Sequence, residues 1–101
     1  MRLRLLTIMF ALLVTGCTGQ ADPNATGGEL YSQFCTRCHA ADLSGGIGPA
    51  LGEGSDLVDR PDSYIADVTT NGRGSMPAFG NTLSDDQVQR VLQFIRAEQG
   101  S

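Results

Sequence analysis

The sequence predicts an all-α fold of three main helices and connecting loops, and three observations lead there. No segment alternates apolar and polar residues with the two-residue period of a strand. Two capping-box patterns, Thr26 with Glu29 and Ser84 with Gln87, open helical stretches. Finally, Cys35-Thr36-Arg37-Cys38-His39 places two thiols one helical turn apart with an imidazole directly after them. That Cys-x-x-Cys-His spacing is the attachment signature of c-type haem. One turn separates the sulfurs by about the distance between the haem's two vinyl groups, so both can become thioethers. His39 then projects over the ring face toward the iron. The helices are expected to wrap one covalent haem.

Two other uses of a Cys-x-x-Cys pair need company that is missing. A thioredoxin-like redox pair sits beside a βαβ pattern. A closed zinc site takes four ligands, and the whole chain holds three cysteines and one histidine.

The 101 residues suffice for one domain. Its basic residues are all arginine, and the formal charge is −4. From Cys17 onward five arginines stand against eleven carboxylates, which gives −6. An acidic surface argues against nucleic acid and for redox partner proteins with a basic docking surface. Acidity that serves only solubility is the other reading. A domain of about 85 residues buries a thin core, and a haem supplies a large apolar body for it.

Residues 1–16 are expected to form an export signal peptide. Arg2 and Arg4 make its basic start, and Leu5 to Val14 is an apolar run broken only by Thr7, too short for a comfortable membrane span. Export agrees with thioether attachment, which bacteria carry out beyond the cytoplasmic membrane. Val14-Thr15-Gly16-Cys17 resembles the bacterial lipobox, which implies lipidation of Cys17 and anchoring on the extracytoplasmic face of a bacterial membrane. Cleavage after Ala21, behind Gly19-Gln20-Ala21, would instead leave a soluble periplasmic protein. Thr18 to Ala25 reads as a flexible tether, so residues 17–25 are expected to be the lipidated cysteine and its linker. At roughly 5–6 Å × √n, those eight residues hold residues 26–101 about 15 Å from the lipid.

The first helix is expected to begin at Gly27, after the Thr26 cap, and to run through the cysteines. Gly27, Leu30, Tyr31, Phe34, Cys35 and Cys38 share one broad face of it. Gly27-x-x-x-Tyr31-x-x-x-Cys35-x-x-Cys38-His39 resembles the N-terminal helix of class I c-type cytochromes. The resemblance implies that the small Gly27 receives an aromatic from the last helix, here Phe94.

Ala40 to Asp59 is a loop region with five glycines. Within it Gly48-Pro49-Ala50-Leu51 resembles the family's segment beside the proximal ligand. The resemblance implies that the Pro49 carbonyl accepts a hydrogen bond from His39 Nδ1, orienting the ring and raising its basicity, and that Leu51 packs on the haem. Pro61 is read as the first residue of a helix of about three turns, with Asp59 or Arg60 as alternative caps. Tyr64, Ile65 and Val68 form its apolar face, and Asn71-Gly72 ends it.

Gly72 to Gly80 is the second functional stretch. Met76 is the only methionine beyond the expected signal peptide, and no helical stripe accounts for it. A thioether ligates ferrous haem, and a His/Met pair raises the reduction potential. By resemblance Met76 is the distal ligand, presented on a loop stiffened by Pro77. Arg73 is a candidate partner for a haem propionate. The last helix follows Ser84, with Asp85 and Asp86 at its positive end. Val88, Val91, Leu92 and Ile95 make the clearest amphipathic stripe in the chain, with Phe94 at its edge and Gly100 closing it.

The resemblance covers residues 26 to 99. It implies a monohaem cytochrome c fold and an electron carrier rather than an enzyme, with Cys35 and Cys38 holding haem c and His39 and Met76 ligating the iron. Relatives that dock through a lysine ring are poor guides to its partner, because the chain has no lysine. The alternatives are a haem-based sensor or peroxidase-like enzyme with a labile Met76, and a fixed electron-transfer module of an oxidase or dehydrogenase complex. Against catalysis, the sole histidine is already used on the proximal side.

Overall fold

The computed structural model describes residues 19–100, so the expected signal peptide and Cys17 lie outside the described residues. Among the described residues, four α-helices follow in order: α1 (Gly27–Phe34), the single turn α2 (Thr36–His39), α3 (Asp62–Asn71) and α4 (Asp85–Gln99). A 3₁₀ turn at Asp56–Asp59 leads into α3. The three main helices of the sequence reading are α1, α3 and α4.

The N-terminal caps differ in completeness. Ser84 and Gln87 form a full capping box, the Ser84 hydroxyl accepting from Gln87 N–H at 3.2 Å and the Gln87 side chain accepting from Ser84 N–H at 2.9 Å. At α1 only half of the box is present. The Thr26 hydroxyl accepts from Glu29 N–H, but the Glu29 carboxylate takes its bond from that same hydroxyl at 3.0 Å, not from the backbone.

Packing centres on the crossing of α1 and α4. Leu30 and Tyr31 from α1 are buried against Val88, Val91 and Ile95 from α4. A Cβ on Gly27 would lie 2.1 Å from the Arg90 carbonyl oxygen and 3.2 Å from Phe94 Cβ, so glycine lets the two backbones approach. The Tyr31 and Phe94 rings stack tilted, with centroids 5.2 Å apart. The Phe94 contact has the form expected.

Three expectations about elements are corrected. The first helix does not run unbroken through the cysteines. Cys35 sits at φ −114° between α1 and α2; its N–H still bonds the Tyr31 carbonyl at 2.9 Å, and the Thr36 hydroxyl adds a second bond to that carbonyl at 3.2 Å. Pro61 is the cap of α3, with extended backbone at ψ 155°, and Asp62 is the first helical residue. Nor is Ala21–Ala25 a flexible tether. Ala21 and Ala25 are buried in the core, and Ala21 N–H bonds the Thr82 carbonyl at 3.0 Å. Gln87 Nε2 holds the Asp22 carbonyl at 2.9 Å, and the Arg90 guanidinium bonds the carbonyls of Pro23 and Ala25. Backbone groups so satisfied, on alanines so covered, make a strap across α4.

Candidate haem site

His39 is the last residue of α2 and is buried at 6% exposure. Its Nδ1 lies 2.8 Å from the Pro49 carbonyl oxygen. A carbonyl only accepts, so Nδ1 carries the proton and Nε2 keeps its lone pair for a metal. The ring's seat is close-fitting. A Cβ on Gly48 would stand 2.7 Å from His39 Cε1, so the loop passes the imidazole only because residue 48 is glycine. Gly48 N–H to the Cys38 carbonyl at 2.8 Å and Gly45 N–H to the His39 carbonyl at 2.9 Å bind that loop to α2.

Two adjoining hollows, of about 410 and 510 Å³, share Cys35, His39, Ser75 and Met76 as walls. The first is otherwise lined mainly by apolar groups, among them Leu51, Leu57, Ile65, Val68 and Ile95. The second is lined further by Cys38, Ile47 and Pro77, and Ile47 is 80% exposed. Both thiols are free. Burial first, then the neighbouring Cys38, pushes the Cys35 thiol up to about 11, so it is neutral in the unmodified chain.

Met76 is carried by a tight turn. Arg73 and Met76 exchange both backbone bonds, at 3.1 and 2.9 Å, around Gly74 at φ +57°. Gly72, at φ +75°, both ends α3 and lets this turn fold back on it, since a Cβ there would be 2.7 Å from the Met76 carbonyl oxygen. Beyond the turn, Phe79 and Gly80 N–H groups bond the Thr69 and Thr70 carbonyls, each at 3.0 Å.

Arg73 lines the first hollow but does not project free. Its guanidinium donates to the Tyr64 hydroxyl and lies 5.8 Å from that ring's centroid, and Arg60 lies 4.9 Å from the same centroid. Tyr31, behind α2, donates its hydroxyl to the Ala40 carbonyl at 2.6 Å. Burial first, then Cys35 and Asp42, pushes that hydroxyl up to about 12, so it remains a neutral donor.

The site residues expected from the sequence, Cys35, Cys38, His39, Pro49, Leu51, Arg73 and Met76, thus gather at one crevice. Cys17 lies outside the described residues. Among the described residues no three His, Cys, Asp or Glu side chains converge as a metal-binding group.

A family model described as cytochrome C oxidase, cbb3-type, subunit III, matches residues 22–95. The chain belongs to the class I c-type cytochromes. It is 39% identical over 88 residues to the cytochrome c subunit of 4-cresol dehydrogenase (hydroxylating) from Pseudomonas putida, covering 85% of this chain and 73% of that one. It is 38% identical over 86 residues to cytochrome c6 of Leptolyngbya boryana, covering 75% of this chain and 95% of the relative. The solved structure of cytochrome c6 from the diatom Phaeodactylum tricornutum superposes with a TM-score of 0.63 at 27% identity, over 73% of this chain and 91% of that one.

Cytochromes of this family carry electrons on a covalent haem c, and the residues of this cytochrome fit that group. The apolar walls of the first hollow suit a macrocycle, the Cys35 thiol lines both hollows and Cys38 the second, and one buried imidazole has its lone pair free. Sequence reasoning missed three contributors. Leu57, in the 3₁₀ turn, supplies cavity wall without any periodic signal. Arg60 joins Arg73 on Tyr64, which spacing of four along a helix start could have suggested. Arg96 ties the wall in place by donating to the Leu57 carbonyl at 3.1 Å and to the Asp62 carboxylate at 2.9 Å. Only its place in the last turn of α4 hints at that role.

Proposed function

We propose that this cytochrome is a one-electron carrier whose haem is held by thioethers to Cys35 and Cys38 and ligated by His39 Nε2 and the Met76 sulfur. The haem supplies an iron that cycles between Fe(II) and Fe(III). The chain's own residues tune it. Pro49 holds the imidazole in one tautomer and raises its donor strength through the Nδ1–H bond. Leu51, Leu57, Ile65 and Val68 exclude water, which favours the less charged reduced state. Arg73, backed by Arg60 on Tyr64, offers a fixed cation to a haem carboxylate. The observation that carries this reading is the convergence of the sole histidine and Met76 on one apolar crevice. His39 and Met76 would together hold the iron from both sides and leave no place for a substrate, which would set the carrier apart from a sensor or peroxidase-like enzyme. The test is Met76→Ala in the holoprotein. The potential should fall by on the order of 0.1 V, and CO should bind the reduced form, since axial ligand identity dominates haem potentials. An unchanged potential and no CO binding would remove Met76 from the iron.

A fixed module is the second reading, favoured by the Pseudomonas putida relative being a dehydrogenase subunit. Salt separates the two. A diffusing acidic carrier that meets a basic partner slows as ionic strength rises, whereas a subunit held in its complex does not.

We also propose export and a lipid on Cys17. No helix among the described residues is long and apolar enough to cross a membrane. With Ala21 packed in the core, only residues 18–20 separate the lipidated residue from the domain, a reach of about 10 Å. Mass spectrometry of membrane-extracted protein tests this, because a soluble product beginning at Asp22 excludes the anchor.

A further inference from the structure

Directly after His39 the backbone does something that an alanine rarely does. Ala40 sits at φ +67° and ψ 156°, a region that is essentially reserved for glycine and costs an L side chain strain. The conformation matters because it sends the chain back under the imidazole. Leu43 N–H closes a turn onto the Ala40 carbonyl at 3.1 Å, Gly45 returns to the His39 carbonyl, and Gly48 and Pro49 then seat the ring. A residue in such a region persists only where its surroundings over-determine it.

What holds Ala40 is visible on both of its sides. Its N–H bonds the Thr36 carbonyl at 2.9 Å, and its carbonyl accepts the Tyr31 hydroxyl at 2.6 Å. Tyr31 is 1% exposed, and its ring is braced on Phe94 of α4. The hydroxyl is therefore fixed from the α1–α4 interface, not from the loop that it restrains. An anchor of this kind transmits the helix crossing to the ligand's backbone.

We propose that Tyr31 is a positioning residue for the proximal ligand: its hydroxyl clamps Ala40 in a glycine-only conformation and so keeps His39 Nδ1 on the Pro49 carbonyl. The inference rests on the reading of His39 as the axial ligand. The clamp and the strain are two halves of one device. Where the strain is absent, the clamp has little left to hold.

That logic gives a double-mutant cycle on the reduced, diamagnetic holoprotein. The readout is solvent exchange of the His39 Nδ1–H proton by NMR, compared with the backbone N–H of Leu92 in the middle of α4. Tyr31→Phe should speed Nδ1–H exchange by roughly tenfold relative to Leu92, the size that such strain implies. Ala40→Gly alone should leave exchange near the wild-type rate. In the Ala40→Gly background, Tyr31→Phe should then change it by less than about twofold. Equal acceleration of Nδ1–H and Leu92 in Tyr31→Phe would make Tyr31 a general stability residue and overturn the proposal. The same acceleration with and without Ala40→Gly would overturn it too, because the hydroxyl would be acting on something other than Ala40. A wild-type holoprotein that lacks an iron-bound His39 defeats the haem-ligand reading itself, and with it this proposal. That failure is recognised in the wild-type spectrum, before any variant is made.

Discussion

His39 is buried at 6% exposure, with one ring nitrogen bonded to Pro49, a glycine against its Cε1 and the adjoining backbone tied to Gly45 and Gly48. Met76 is half-buried, next to a turn whose central residues Gly74 and Ser75 are exposed, and two backbone bonds to Arg73 carry it. The His39 side is over-determined and the Met76 side is presented. If the two residues ligate the iron as proposed, such an asymmetry would place stability on one side of the haem and adjustability of the potential on the other. Three glycines allow the contrast to be pressed from both ends.

Gly27→Ala should have the largest effect. Its Cβ would fall 2.1 Å from a helix carbonyl that cannot swing aside, so α1 and α4 must separate. A loss of about 3 kcal/mol in denaturant unfolding is expected, and with it the Tyr31–Phe94 contact behind His39. Gly48→Ala comes next, at about 2 kcal/mol, because the new methyl stands 2.7 Å from the imidazole. Its mark is a shift in the His39 Nδ1–H resonance while the Met76 methyl signal stays in place. Gly72→Ala should cost about 1–2 kcal/mol, combining positive φ with a 2.7 Å approach to the Met76 carbonyl. Here the pattern inverts, with CO gaining access to the reduced iron and the His39 signal unmoved. If Gly48→Ala and Gly72→Ala disturbed both ligands alike, the contrast between the two sides would be broken.

The smallest effect concerns the exposed turn beyond Ala40. Hydrogen bonds from Ser44, side chain first and then backbone, hold the Asp42 carboxyl below its ordinary value. A depressed folded value means that the contribution is present above the ordinary Asp range and is lost as pH falls through the lowered one. Ser44→Ala should move the Asp42 titration midpoint upward in an NMR titration, with no change at either axial ligand. An unmoved midpoint would assign the shift to the backbone bond alone.

How much of this was legible in the sequence follows from the range of the interactions. The two caps, the α4 stripe and Cys35-x-x-Cys38-His39 are written within one or two helical turns, and local patterning reads them. Pro49 was placed against His39 through family resemblance, and the structure has that bond at 2.8 Å. The strap at Ala21–Ala25 was misread because alanine, proline and asparagine carry no periodic signal. Its partners, Gln87 and Arg90, lie about 65 positions away. The break at Cys35 is a departure of one residue's φ to −114°, which no local pattern in the sequence announces. Ala40 could not be read as strained, since only the fold reveals its φ.

In the proposed ligation, one crevice would supply the iron with a fixed imidazole and a presented thioether. The most direct measurement is the visible spectrum of the purified holoprotein, oxidised and then reduced, with and without CO. A weak far-red sulfur-to-iron band in the oxidised form, together with no response to CO, is the result that the account predicts. Absence of that band together with rapid CO binding would mean an open iron, and would contradict the carrier in favour of a sensor or an enzyme.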